Sequence, residues 1–368
     1  SRLTQSWVLP QLAYLAEIHD HRLLPNLENQ LRSLEQRFLD GLPPASYHQW
    51  SKLYYRQGNY ALAARKLATG LARVTPDQYA PQGLGLLGAL LNLMIDQLLV
   101  EPARRIEQAF DRYLSLRSDD LVPRYRRNGV DHSARLALRN GEADQAHCLY
   151  HRRWRRDPTD ERAAVWLLYL AAWHPVPQAS EYLDWALSQF DPSVLNTELT
   201  GNDGPLYQLR ALAAWAWCRE DATVADRIAP AIPFCAERLL DHPNLDVGPP
   251  SFTLAYLDLY ARQHTPVWRD RLPSWGHIAG ALRDHRYFLE LAAFSALRGE
   301  IEEARRMLDT YQAQRRQVVQ ELRPLPVDLD LPDWESVLKA RERHECEFLL
   351  SSTPRSRDEW VRGGLWPM

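Results

Sequence analysis

Two pairs of basic residues share a spacing of four positions along the chain: Lys52 with Arg56, and Arg135 with Arg139. Side chains four residues apart lie on the same face of an α-helix. A guanidinium pairs with a carboxylate or a phosphate through two parallel hydrogen bonds. The spacing therefore predicts partly basic helix faces that suit an acidic peptide, a C-terminal carboxylate or a phosphorylated segment. His48 and Tyr55 lie beside Lys52 and Arg56 on the same predicted helix. The predicted partner-binding residues are therefore His48, Lys52, Tyr55, Arg56, Arg135 and Arg139.

A second basic cluster covers residues 151–156 and combines arginine with tryptophan. Nucleic-acid binding uses such residues to contact phosphates and to stack on bases. The neighbouring Asp157, Asp160 and Glu161 offset the positive charge, and Pro158 ends the segment, so these arginines also complement the C-terminal dipole of a helix. Nucleic-acid binding therefore stays an alternative and is not the leading hypothesis.

Metal and cofactor chemistry find little support in the residue pattern. His147 and His151 are four positions apart, but a zinc site needs three or four ligands, and no further ligand stands at a suitable spacing nearby. The sequence has no nucleophile elbow, no phosphate-binding glycine loop and no dinucleotide fingerprint. We therefore predict no metal, no cofactor and no enzymatic activity.

Carboxylate pairs keep one enzymatic alternative open. The candidates are Asp119 with Asp120, Asp328 with Asp330, and Asp203 with a distant Glu. A glycosidase needs two carboxylates about 5–10 Å apart in a cleft, and the 13 tryptophans could line a sugar-binding cleft. The alternative is an (α/α) toroid enzyme that acts on a glycan or an isoprenoid.

The amino-acid composition indicates the cellular compartment and excludes some classes of binding partner. The 44 basic residues are almost all arginine and face 47 acidic residues, which gives a formal net charge of −3, so no global field attracts nucleic acid or anionic membrane. The four cysteines are scattered without a CxxC pair, as in a reducing, bacterial-type cytoplasm. The most apolar stretch, 84–100, is interrupted by polar residues and predicts a buried helix rather than a membrane span.

Helical periodicity dominates the chain, and prolines divide it into segments of helix length. Among the predicted helices are 10–19, 22–39, 129–139, 222–240, 276–298 and 333–350. Three segments, 47–76, 133–158 and 288–308, share one layout, in which a glycine ends a first helix and an alanine lies early in a second. These pairs are Gly58 with Ala63, Gly141 with Ala146, and Gly299 with Ala304.

This layout resembles the tetratricopeptide repeat (TPR), a helical hairpin that stacks on its neighbours to bury its apolar faces. The alanines that mark the second helices are spaced by 33 to 46 residues: Ala63, Ala103, Ala146, Ala179 and Ala225. We therefore predict an all-α fold, a right-handed α-solenoid of about seven TPR-like hairpins with a C-terminal capping helix. The expected domains are N-terminal repeats over 1–190, C-terminal repeats over 205–323, and a capping helix with its tail over 333–368. We expect disorder after residue 351.

The resemblance implies a function in protein–protein binding, with first helices that line a concave groove. The chaperone-binding branch of the family holds a carboxylate with Lys and Asn, and the Asn members are absent here. The sequence thus predicts a non-catalytic cytoplasmic adaptor or scaffold that binds a protein or an acidic peptide in a partly basic groove. A regulator, such as an immunity protein that inhibits a toxin, is one specific version.

Overall fold

The computed structural model describes residues 42–74, 83–116, 122–191, 204–241, 248–325, 333–351 and 355–368, together with the single positions 29, 30, 33, 36 and 353. All regular elements in these ranges are helices, and the described ranges contain no strand. The predicted all-α class is confirmed. The predicted helices at 10–19 and 22–39 lie wholly or mostly outside the described residues.

The contacts within the chain define two compact units, each made of two stretches of sequence. Unit 1 comprises Ser1–Leu136 and Thr310–His344, and unit 2 comprises Ala137–Asp309 and Glu345–Met368. These limits differ from the predicted 1–190, 205–323 and 333–368. The expected break at 191–204 falls within unit 2, because the helices before and after residues 192–203 pack directly against each other.

The N-terminal stretch of unit 1 holds helices α1 (Pro44–Arg56), α2 (Tyr60–Leu71), α3 (Leu84–Asp96) and α4 (Val100–Ser115), followed by α5 (Val122–Arg139), whose last three residues belong to unit 2. Helix α1 packs on α2, α3 packs on α4, and both α1 and α2 contact α3. Helix α5 begins seven residues before the predicted 129. Its start contains Pro123, and a proline in the first turn of a helix breaks no hydrogen bond.

Unit 2 continues with α6 (Ala143–Arg156), α7 (Glu161–Trp173), α8 (Ala179–Gln189), α9 (Gly204–Arg219), α10 (Ala222–Ile228), α11 (Ile232–Asp241), α12 (Gly248–His264), α13 (Trp275–Asp284) and α14 (Phe288–Leu297). Helix α7 packs on α6, α8 and α9, and α9 packs on α12. The predicted helix 222–240 is split by a 3₁₀ turn, Ala229–Ala231, whose proline interrupts the helical hydrogen bonds. The predicted helix 276–298 is split at Arg286, which has φ 61°.

The last helices are α15 (Ile301–Leu322), α16 (Trp334–Leu349) and α17 (Arg357–Gly363). Helix α16 confirms the predicted helix at 333–350. The expected disorder after 351 is wrong, because the segment 355–368 folds onto unit 2. A capping box between Ser356 and Glu359 starts α17, and Trp360 packs edge-on against Phe348 at 5.1 Å between ring centroids.

Six helix pairs in the described ranges are joined by the same turn. One residue has a positive φ, and the N–H of the next residue donates to the carbonyl five positions back at 2.8 to 3.0 Å. This is a Schellman-type helix end, and the next helix starts immediately. The residues with positive φ are Gly58, Leu98, Gly141, Glu220, Arg286 and Gly299. The three predicted glycine turns are thereby confirmed.

An alanine five positions after the positive φ lies where the second helix meets its neighbours. Five of the six turns have one, each with no exposed surface: Ala63, Ala103, Ala146, Ala225 and Ala304. The predicted sixth member, Ala179, is not equivalent. It follows an extended His174 rather than a left-handed turn, and it lies half-buried at the start of α8.

Candidate functional site

Three of the predicted binding residues share one face of α1. His48, Lys52 and Tyr55 follow the spacing i, i+4, i+7, and each is half-buried. The Tyr55 ring packs edge-on against Tyr60 at 5.3 Å. Arg56 is the last residue of α1, and its side chain lies outside the described part of the chain. The structure thus brings three of these side chains together, and their partner-binding role stays a prediction.

Arg135 is engaged within unit 1. Its guanidinium donates to Asn92 Oδ1 at 2.6 Å and to Asp96 Oδ1 at 2.5 Å. These bonds join α5 to α3, and only 16% of the Arg135 side chain is exposed. A partner carboxylate would therefore have to compete with Asp96 for this guanidinium.

Arg139 is almost fully buried in unit 2, with 3% of its side chain exposed. Its Nη1 lies 3.4 Å from the carbonyl oxygens of Gly364 and Trp366, and its Nη2 lies 3.5 Å from Glu290 Oε1. The predicted pair therefore does not act as one basic patch: Arg135 braces unit 1, and Arg139 holds the end of the chain.

The chain approaches itself very closely beside Arg139. A Cβ atom built on Gly364 would lie 2.1 Å from the carbonyl oxygen of Arg139, and one built on Gly141 would lie 2.1 Å from that of Arg362. Both glycines also have positive φ values, 65° and 77°. Glycine is required at both positions because no other residue leaves room for this backbone contact.

The first helices of unit 2 carry a set of aromatic side chains that sequence reasoning missed. Trp173 packs edge-on against Trp217 at 5.4 Å, and Tyr256 lies 6.1 Å from Tyr169 and 5.9 Å from Trp217. We call these four residues on α7, α9 and α12 the aromatic surface. They are all less than 9% exposed. Arg210 of α9 lies beside Tyr169 of α7 and Phe252 of α12. Trp217, two turns further along α9, lies beside Trp173 and Tyr256, so the three helices run in the same direction.

The residues after α17 occupy this aromatic surface. Trp366 stacks on Tyr169 with 5.2 Å between centroids and 15° between planes, and it packs edge-on against Trp173 at 5.5 Å. No part of Trp366 is exposed. The carbonyl of Pro367 accepts a hydrogen bond from the Tyr256 hydroxyl at 3.1 Å and another from the Tyr169 hydroxyl. The site thus holds one indole and one backbone carbonyl of an extended segment.

Burial dominates the electrostatics of the aromatic surface. It raises the pKa of the Tyr169 and Tyr256 hydroxyls well above the ordinary value for tyrosine. Both groups therefore stay protonated over the physiological range and act as hydrogen-bond donors. They suit a carbonyl acceptor and offer no base for catalysis.

The histidine pair of α6 has a structural role. His147 Nε2 and His151 Nδ1 lie 3.0 Å and 2.7 Å from the hydroxyl of Tyr182, which is fully buried. Burial, followed by the nearby charge of His151, lowers the pKa of His147. Within the described residues, no group of three or more His, Cys, Asp or Glu side chains is arranged to hold a metal ion.

Arg153 and Trp154 of the basic cluster 151–156 are committed to contacts within unit 2, whereas Arg152, Arg155 and Arg156 are exposed. Arg153 forms an ion pair with Asp160 at 2.5 Å, and Arg155 lies 3.7 Å from Glu181. The ring of Trp154 packs against Tyr182 at 5.3 Å and is only 6% exposed, so it is not presented for base stacking. The candidate catalytic carboxylates, Asp119, Asp120, Asp203, Asp328 and Asp330, lie outside the described residues.

A signal for the aromatic surface was present in the sequence. Trp166, Tyr169 and Trp173 follow the spacing i, i+3, i+7, which places them on one face of α7. Such a stripe also fits a packed core, and the sequence alone does not distinguish the two.

Among the described residues, no helix has both the length and the apolar character that a bilayer crossing requires. No family model, no curated protein and no solved structure matches this chain.

Proposed function

We propose that this chain is a non-catalytic recognition protein, a TPR-like α-solenoid adaptor or scaffold whose unit 2 binds an extended segment of a partner protein. One observation carries the proposal: the aromatic surface already holds Trp366 and the Pro367 carbonyl of the chain itself. Proteins that bind peptides commonly recognise a side chain in a pocket together with hydrogen bonds to the peptide backbone. The repeated turn and its buried alanines support the solenoid.

The proposed contact residues are Tyr169, Trp173, Trp217 and Tyr256. The stacking of the Trp366 indole on the Tyr169 ring contributes about 0.5–1.5 kcal/mol beyond the area that the pair buries. The two tyrosine hydroxyls lie at the end of this stack and fix the direction of the bound backbone. A partner segment that presents an indole next to a free carbonyl would reproduce the contacts of the chain's own residues 365–368.

We place the protein in a reducing, bacterial-type cytoplasm. All four cysteines are free, which supports this location. Cys218 and Cys235 are fully buried, and burial raises the pKa of the Cys235 thiol to about 12. Cys148 is exposed, and Cys346 is half-buried.

A selection from a random peptide library tests the proposal. Trp366→Ala in the full chain removes the indole that fills the aromatic surface, and the wild-type chain is the matched control. We expect the variant to enrich extended peptides that contain tryptophan, and the wild type to enrich them far less. The proposal is contradicted if the folded variant enriches no tryptophan-containing sequence or gives the same peptides as the wild type.

The alternatives have less support in the described part of the chain. The toroid enzyme needs a carboxylate pair, whereas the aromatic surface is lined by rings and by tyrosine hydroxyls that stay protonated. The nucleic-acid alternative needs an accessible ring beside the arginines, and Trp154 is buried. Neither is proposed.

A further inference from the structure

A buried arginine lies next to the aromatic surface, on the face that α9 turns toward α7 and α12. The guanidinium carbon of Arg210 lies 4.9 Å from the ring centroid of Tyr169, 5.2 Å from Tyr207, 5.6 Å from Phe252 and 5.7 Å from Trp166. Only 5% of Arg210 is exposed. Four aromatic rings from three helices therefore surround one positive charge.

Arg210 differs from two comparably buried arginines of unit 2. Arg139 is 3% exposed and is paired with Glu290, and Arg298 is 7% exposed and is paired with Asp258 and Glu300. Arg210 forms no hydrogen bond and no ion pair with any residue in the described ranges, and its Nε is buried without an acceptor.

The rings compensate for only part of this burial. A cation above an aromatic face gains about 0.5–2 kcal/mol. The N–H groups of a guanidinium, however, point outward in its own plane and need oxygen acceptors. A buried donor without an acceptor costs about 1–3 kcal/mol. The described residues therefore leave the Nε donor of Arg210 without an oxygen acceptor.

We infer that Arg210 anchors a carboxylate of the segment that binds on the aromatic surface. The inference rests on the proposed function and names the chemistry of its ligand. A carboxylate is planar, carries one negative charge and accepts two parallel hydrogen bonds from a guanidinium, so it matches a single unpaired arginine. A phosphate carries nearly two charges, whereas the other basic residue beside Tyr169, Arg139, is already paired with Glu290. Tyr169 joins the two parts of the site, because its ring contacts both Trp366 and Arg210.

The carboxylate has two sources in a peptide, an acidic side chain or a free C-terminus, and the test separates them. The full chain with Trp366→Ala is titrated with four peptides: acetyl-Trp-Pro-Met-amide, the same peptide with a free carboxylate, acetyl-Trp-Pro-Glu-amide and acetyl-Glu-Trp-Pro-Met-amide. At least one acidic peptide is expected to bind about tenfold more tightly than the neutral one, a difference of about 1.4 kcal/mol. The added substitution Arg210→Met should abolish this preference.

Failure of the inference and failure of the proposed function give different results. If the neutral peptide binds but the acidic peptides bind no more tightly, or if their preference survives Arg210→Met, the inference is overturned and the proposed function stands. If none of the four peptides binds the folded variant, the proposed function fails.

A second measurement uses small indole compounds in place of peptides. It tests the role of Arg210 if none of the four peptides binds or if Trp366→Ala does not fold. The melting temperature of a chain with the milder substitution Trp366→Leu, which vacates part of the indole site, is recorded by calorimetry with millimolar indole-3-propionate and with the neutral indole-3-propionamide. The carboxylate should raise the melting temperature more than the amide does, and Arg210→Met should remove the difference. Equal shifts from both compounds, or a difference that persists in Arg210→Met, would overturn the role of Arg210.

Discussion

Unit 1 and unit 2 use the same left-handed turn and the same buried alanine, but their first helices present different side chains. In unit 1, Arg135 pairs with Asn92 and Asp96 of the same unit. In unit 2, the first helices present aromatic rings that are covered by the chain's own Trp366. The hairpin turn thus sets the spacing of the helices, whereas the side chains on the first helices decide which groups pack against them.

The largest effect on stability is expected for a substitution of Arg139, and a smaller one for the same substitution of Arg135 on the same helix, α5. Arg139→Glu places a second carboxylate beside Glu290, of whose side chain 14% is exposed, and should cost about 3–5 kcal/mol, because it puts two like charges together at a nearly buried position. Arg135→Glu removes a half-buried contact of unit 1 and should cost less. Chemical denaturation of both variants measures the difference. Equal destabilisation by the two substitutions would contradict the distinct roles of Arg135 and Arg139.

Removing the docked indole is the next largest change. Trp366→Ala deletes a fully buried side chain and should lower the free energy of unfolding by about 3–5 kcal/mol. Trp334→Ala is the control in unit 1, where the ring is only partly buried against the core, and it should cost less. Denaturant titration with both variants gives the comparison. A Trp366→Ala chain as stable as wild type would show that residues 365–368 do not pack as described.

Two glycines of unit 2 distinguish the turn from the contact with the tail. Gly141 and Gly299 have nearly the same φ, 77° and 80°, so an alanine at either position costs about 1–2 kcal/mol of backbone strain. A Cβ on Gly141 meets the Arg362 carbonyl at 2.1 Å, whereas one on Gly299 meets nothing within 4 Å. Gly141→Ala should therefore be more destabilising by about 1–3 kcal/mol of overpacking.

The readout for this pair is the unfolding free energy, together with the rate at which a protease cleaves the segment 355–368. Faster cleavage is expected for Gly141→Ala alone. If Gly299→Ala releases the tail to the same extent, the close approach at Gly141 does not position it.

The smallest effect belongs to the basic face of α1. Lys52 is half-buried on α1, so Lys52→Glu should lower the unfolding free energy by less than any of the substitutions above. The same substitution should leave peptide binding to the aromatic surface of Trp366→Ala unchanged. A tenfold loss of affinity for a neutral tryptophan peptide would show that recognition depends on α1 as well.

The sequence predicted the local elements better than the site. The glycine turns were readable because glycine favours a positive φ, whereas Leu98, Glu220 and Arg286 adopt the same turn with side chains that give no such signal. The buried alanines could also be predicted, because each lies at a fixed distance in sequence after its turn. The prediction for Ala179 is wrong because an extended His174, and not a left-handed turn, precedes its helix.

The site depends on contacts between residues that are far apart in sequence. Trp366 meets Tyr169 and Trp173 nearly 200 positions earlier, and no local pattern around a polar, proline-containing segment reports that pairing. The basic pair Arg135 and Arg139 was correctly placed on one helix, but its partners come from α3 and from the chain after α17. Charge and spacing indicated a helix face and could not indicate which groups already cover it.

One calorimetric titration tests the central claim most directly. A synthetic peptide that spans residues 357–368 is added to the full chain carrying Trp366→Ala, and to the same chain with Tyr169→Ala in addition. We expect one bound peptide per chain with a dissociation constant on the order of 10 µM and at least a tenfold loss of affinity in the second variant. Absence of binding to the folded Trp366→Ala chain, or binding that is unaffected by Tyr169→Ala, would contradict recognition by the aromatic surface.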